Sequence, residues 1–269
     1  MIRYFPLALG LMLCSGAQAQ NAPRTWIEPR TGMPFVWIPK GCFQMGTDTA
    51  VALPPDAMFR HLPAARDLAA DEHPRHEVCV EGFWISKYET RNADWRRIMD
   101  PKTGIGAADH PVSGVTWSQA RAFAERLGAG PGSKISFRLP TEAEWEYACR
   151  GGAAEESVPT GREASDRAWY NKNEDGTAAP RPAGKLAANA FGLHDMLGNV
   201  WEWVDDGYVA DAYARHDLFD PRAGESAADR VIRGGSHRSE PMHMRCANRG
   251  RYPADESLPT LGFRLVRSK

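Results

Sequence analysis

Twenty-five glycines and 20 prolines cut this 269-residue chain into short pieces. Breakers at that density exclude a helical bundle, because each one inside a helix costs it stability. Two segments nevertheless carry a full set of helix signals. "TWSQARAFAERLG" sets Thr116 and Gln119 as a capping box, places Ala120, Phe123, Ala124 and Leu127 on one face, and stops at Gly128. "TEAEWEYACRGG" repeats the box with Thr141 and Glu144 and turns Trp145, Ala148 and Cys149 inward. Asn92 to Met99 reads as a shorter helix with Trp95, Ile98 and Met99 inward. "HEVCVEGFWISKYE" alternates like two strands broken at Glu81-Gly82, and Met33 to Gly46 is extended. Val51 to Leu68 lacks periodicity and reads as a long loop. The pattern predicts an irregular α+β single domain with little regular secondary structure. The length, with 42% hydrophobic residues, suffices for a sizeable core.

The first residues set the compartment. Arg3 precedes an apolar run from Phe5 to Leu13, too short to span a bilayer, and Ala17-Gln18-Ala19 is a small-x-small cleavage site. Residues 1–19 are therefore expected to be a signal peptide, 20–33 a linker and 34–269 the folded domain, in the periplasm or secreted. Leu13 before Cys14 is not the small residue a lipid-anchor motif asks for, which argues against a lipoprotein. Cleavage leaves Cys42, Cys79, Cys149 and Cys246. An even count in an exported chain favours disulfides, and four cysteines allow three pairings among which spacing does not choose. A net charge of −1 with interspersed signs gives no footprint for nucleic acid, and no membrane span is expected.

"DMLGNVWEWVDD" (Asp195 to Asp206) carries the strongest chemical signal. Asp195 and Glu202 flank a Gly-Asn turn. With the chain extended, the carbonyls of Gly198 and Val200 point the same way, and such an all-oxygen set suits a hard cation such as calcium. "NKNEDG" offers Asn171, Asn173 and Asp175 as weaker oxygen ligands without the spacing of an EF-hand loop. His73, His76, His237 and His243 lack the spacing of a zinc site, and "RGGSH" is not a nucleophile elbow.

Taken in order, "FVWIPKGCFQMG", "FWISKYETRNADW", "RLPTEAEWEYACRGG", "NAFGLHDMLGNVWEW", "RVIRGGSHRSEP", "RCANR" and "LGFRLV" resemble the sulfatase-modifying-factor family. That family includes the formylglycine-generating enzymes and pyoverdine-maturation proteins of the PvdO type, and the likeness runs from about Phe35 to the C-terminus. The resemblance implies a variant of the C-type-lectin fold. It implies structural calcium, with Asp195 and Glu202 as side-chain ligands and Gly198 and Val200 as backbone ligands. It also implies a Cys149–Cys246 disulfide. A further family disulfide falls at Ala124 and Leu265, where both ends are missing, and this leaves Cys42 to join Cys79.

In formylglycine generators, two redox-active cysteines between the "RGGS" and "RCA" strings hold copper as thiolates. Here the interval is "HRSEPMHM", about three residues shorter, with Ser239 near the first cysteine's place. Met242 and Met244 offer thioethers, which cannot exchange with disulfides. Thr260 stands where the enzyme has Asn. Copper is therefore not expected. The expected pocket is lined by Trp201, Ser236, His237, Ser239 and Glu240, with Glu240 or His237 able to move a proton. Three functions compete: a periplasmic tailoring or maturation enzyme of the PvdO type, a non-catalytic lectin-like binding module, and a formylglycine generator with unusual residues. The partner is a peptide, a protein or a small molecule.

Overall fold

The computed structural model describes residues 23–48, 69–99, 106–130, 132, 134–153, 166–170 and 179–268. The signal segment 1–19, the loop Val51 to Leu68 and the oxygen-ligand candidates Asn171, Asn173 and Asp175 lie outside the described residues. The chain weaves one domain from short strands. β1 (Thr25–Ile27), β2 (Pro34–Ile38), β5 (Phe83–Ser86), β13 (Val266–Arg267) and β6 (Phe137–Arg138) form one sheet in that order. The last strand of the chain sits between β5 and β6, so both ends of the domain meet in this sheet. β1 pairs Thr25–Ile27 antiparallel with Val36–Pro34, which makes part of the expected linker an edge strand of the domain.

A second sheet, in the order β11-β10-β9-β12, is built from β11 (Arg249–Pro253), β10 (Asp229–Arg233), β9 (Trp201–Gly207) and β12 (Leu261–Phe263). β12 runs parallel to β9. The extended stretch from Met33 to Gly46 is two strands, β2 and β3 (Gly41–Met45). β3 pairs with β4 (His76–Val80) and sets Cys42 directly opposite Cys79.

The helices stand where their caps predict. α1 is Asn92–Ile98, α2 Trp117–Gly128 and α3 Glu142–Arg150. Both capping boxes form: Thr116 with Gln119, and Thr141 with Glu144. α2 buries Ala120, Phe123, Ala124 and Leu127, and Phe123 stacks on Trp95 of α1 with ring centroids 5.5 Å apart. α3 departs from the sequence reading. All nine of its residues are buried, charged ones included, because it lies between the β3–β4 pair and the second sheet. An isolated period argument assigns Glu142, Glu146 and Arg150 to solvent; instead Glu146 pairs with Arg150 on the helix itself and with Arg233 of β10, and Glu142 pairs with Arg249 of β11.

Candidate functional site

The stretch from Asp195 to Asp206 folds as a tight turn leading into β9. β8 (Leu197–Gly198) pairs in parallel with β7 (Ala168–Trp169), and Asp195, Gly198 and Asn199 all adopt positive φ. Gly198 is required: a Cβ there would stand 2.0 Å from the Trp169 carbonyl oxygen. Asn199 pays for its left-handed backbone with side-chain bonds. Its Oδ1 accepts from Arg181 N at 2.8 Å and its Nδ2 donates to Glu89 Oε2 at 2.6 Å. The other oxygen of Glu89 accepts from Val200 N at 3.1 Å. The Asn199 carbonyl then accepts from His237 N at 2.8 Å and from His237 Nδ1 at 2.7 Å. A carbonyl only accepts, so Nδ1 of His237 carries a proton.

Glu202 departs from its expected role. Both its oxygens accept from Arg264, at 2.7–2.9 Å, and Oε2 also accepts from Trp145 Nε1 at 2.7 Å. Its charge is neutralised by a guanidinium and its lone pairs are directed at donors. Asp195 accepts from Gly184 N at 2.6 Å through Oδ2, while its buried Oδ1 has no hydrogen-bond partner among the described residues. Among the described residues no three acid, histidine or cysteine side chains converge as a metal-binding group. Of the expected calcium set of Asp195, Gly198, Val200 and Glu202, the Glu202 carboxylate is thus taken by Arg264 and Trp145, and of the two side chains only Asp195 offers a free oxygen. Glu89, Asp195 and Glu202 instead share the cation of Arg264. Burial, then the charges of Asp195 and Glu202, hold the Glu89 carboxyl well above the usual range; burial likewise raises Asp195.

In the segment from Arg233 to Asp255 the residues expected to line a pocket are differently placed. Ser236 and His237 are buried. Ser239 folds back, its Oγ accepting from Ser236 N at 2.9 Å and lying 3.3 Å from Ser236 Oγ. Glu240 is exposed at the start of a short 3-10 turn, Pro241–His243, and Trp201 is half-buried on β9. The cavity to which this segment does contribute, of about 200 Å³, is lined by Cys246 with Cys149, Asn189, Leu193, Asp195 and Met196 rather than by these five residues. Both disulfides, Cys149–Cys246 and Cys42–Cys79, are formed. The structure thus brings together Asp195 and the Cys149–Cys246 bridge, a pairing that sequence reasoning did not make.

It also missed the ionic core that holds this segment. Arg233 Nη2 donates to Glu146 Oε2 at 2.5 Å, Arg150 Nη2 to Glu146 Oε1 at 2.6 Å, and Arg249 Nε to Glu142 Oε1 at 2.7 Å. Burial alone would raise the Glu142 carboxyl, but Arg249 and Arg233 outweigh it and lower it. A bidentate pair between Arg245 and Glu72, at 2.6 and 2.7 Å, ties the segment to the turn before β4. The one available sequence signal was the spacing of Glu142, Glu146 and Arg150 along one face of α3.

Two groups beside this core set a pH dependence. Burial, then Glu142, pushes Asp206 up to about 7, so between 3.8 and about 7 the folded chain binds more protons than the unfolded one and loses stability as pH rises. Burial pushes His216 down to about 4, so stability is lost as pH falls from 6.5 towards about 4. The two oppose each other over most of this range, and above 6.5 the His216 contribution fades while that of Asp206 persists. The urea midpoint is expected to fall between pH 6.5 and 8 in the wild type, and to fall less in Asp206→Asn. A wild-type midpoint that rises over that interval contradicts the assignment.

The fold and the glycine-turn segment define a class before any name is attached: a sheet-rich α+β domain with few helices, closed by β13 between β5 and β6 and stapled across α3. The description "Sulfatase-modifying factor enzyme 1-like domain" matches residues 24–269. The chain is 33% identical to the formylglycine-generating enzyme of Mus musculus, over 91% of this chain and 78% of that protein. It is 38% identical to the formylglycine-generating enzyme of Streptomyces coelicolor, over 68% of this chain and 60% of that protein. The solved structure of PvdO from Pseudomonas aeruginosa superposes with a TM-score of 0.74, at 23% identity, over 93% of this chain and all of that one. The chain belongs to the sulfatase-modifying-factor family. No helix among the described residues is long and apolar enough to cross a membrane.

Proposed function

We propose that the chain is an exported, periplasmic tailoring or maturation factor of the PvdO type, which does not oxidise cysteine by the copper–thiolate route. The observation that carries this reading is the state of the segment from Arg233 to Asp255. Its one cysteine, Cys246, is bonded to Cys149, and Ser239, near the place of a redox cysteine, is hydrogen-bonded to Ser236. A hydroxyl is a hard donor that stays protonated at neutral pH and suits Cu(I) poorly. A second reading, a binding module without turnover, is supported by the buried Ser236 and His237, the latter held on the Asn199 carbonyl, with Arg238 and Glu240 exposed at the surface.

Mass spectrometry of a sulfatase-motif cysteine peptide, incubated with the mature protein, copper and oxygen, tests the proposal. The peptide is expected to remain unmodified. Its conversion to formylglycine, dependent on this protein, would falsify the reading and make the chain an authentic generator. Glu240→Gln, at an exposed position, then separates the other two readings. Loss of turnover on a defined substrate supports a tailoring enzyme, and retained ligand affinity without any turnover supports the binding module.

A further inference from the structure

A second cavity, of about 220 Å³, opens beside Trp117 at the start of α2, with Arg121, Arg222 and Arg230 in its wall. The indole is fixed, because its Nε1 donates to the buried Val204 carbonyl at 2.8 Å. Arg230 of β10 lays its guanidinium carbon 4.0 Å from the ring centroid, and Arg121, one turn along α2, lies at 4.9 Å. Two cations thus share one aromatic ring. The ring attracts each of them, but it does nothing to relieve their mutual repulsion.

The charges in the wall are not equally committed. Arg222 is spent on Asp205, at 2.8 Å. Arg121 has only Glu125 at 3.5 Å, an exposed pair of the kind that contributes little. Arg230 donates to two carbonyls, Asp205 O at 3.2 Å and Glu225 O at 2.9 Å, and makes no ion pair with a carboxylate among the described residues. Its Nε is buried with no hydrogen-bond partner. On the acidic side, Asp206 is tied to the amides of Glu142 and Ala223 and, with its carboxyl pushed up to about 7, is partly neutral near neutral pH. Glu225 is exposed.

We propose that this cavity binds a small oxyanion, whose carboxylate or phosphate oxygens accept from the guanidiniums of Arg230 and Arg121 beside the Trp117 ring. The planar guanidinium fork matches both kinds of oxygen pair. An anion placed there screens the two arginines from each other. Nothing in the assignment depends on the tailoring reading, because none of these residues lines the cavity beside the Cys149–Cys246 bridge.

Isothermal titration of the mature protein at fixed, low ionic strength tests it, with inorganic phosphate in one arm and succinate in the other. Saturable binding of one or both is expected, and which one binds identifies the class of oxyanion. Arg121→Gln changes an exposed helix position and should leave the melting temperature in place while weakening binding at least tenfold. Arg230→Gln should abolish binding. No heat of binding with either anion overturns the proposal, and so does affinity that survives Arg121→Gln in a protein of unchanged melting temperature.

Discussion

Replacing Arg233 with methionine is expected to cost the domain about 3–5 kcal/mol of unfolding free energy, the range for breaking a buried ion pair by removing one partner. Arg233 is wholly buried and bonds four acceptors. Its Nη1 donates to the carbonyls of Ala247 and Asn248, and its Nη2 donates to Glu146 and to the Cys246 carbonyl. Methionine fills much of the volume but satisfies none of these groups. Arg150 still pairs with Glu146, and Arg249 with Glu142, so neither carboxylate is stranded outright. That places the loss towards the lower end of the range. It remains a large share of a domain's typical stability of about 5–15 kcal/mol. Equilibrium urea unfolding at constant pH checks it, and a loss under about 1 kcal/mol would show that the network contributes little beyond packing. The double variant Arg233→Met/Glu146→Leu should not recover the loss, since Glu146 is also the carboxylate to which buried Arg150 donates.

What the sequence made legible follows from how local each signal is. A capping box needs four consecutive residues, and both boxes formed where the spacing put them. The Cys149–Cys246 link came from resemblance, not from spacing, and Cys42–Cys79 was left by elimination; each bridge is present. The linker assignment failed at Thr25–Ile27 because a three-residue edge strand carries too short an alternation to stand out from a polar, proline-containing stretch.

The site was less legible because its determinants are distant in sequence. Glu89 holds the turn at Asn199 and Val200 from more than 100 positions away, and Arg264 takes the carboxylate of Glu202 across 62. Spacing within "DMLGNVWEW" correctly marks a turn that only glycine fits at Gly198. It does not reveal that an arginine occupies the acid expected to bind calcium. The placement of the expected pocket residues was hidden for a related reason. Polar residue types in the segment from Ser236 to Glu240 signal reactivity only if their side chains face a cavity, and Ser236, His237 and Ser239 are committed to backbone and to one another.

Removing the Cys149–Cys246 bridge, as the double variant Cys149→Ala/Cys246→Ala, is expected to cost about 4 kcal/mol, within the range for native disulfides. Its half-cystines are 97 residues apart, against 37 for Cys42–Cys79. If loss of unfolded-chain entropy sets the effect, the longer loop is worth roughly 1 kcal/mol more than the shorter. The surroundings point the same way. Cys149 lies on α3, the fully buried helix, and the Cys246 carbonyl accepts from Arg233. Cutting the covalent link therefore loosens the segment that the ionic core must then hold alone. Cys42 and Cys79, by contrast, face each other within a five-pair strand ladder that persists without them. Both double-alanine variants avoid a stranded thiol, and chemical unfolding of each beside the wild type gives the two losses directly. A larger loss for the Cys42–Cys79 variant would show that loop length does not govern these bridges. Equal resistance of all three proteins to denaturant would mean that the ionic core suffices to hold α3 against the segment from Arg233 to Arg249.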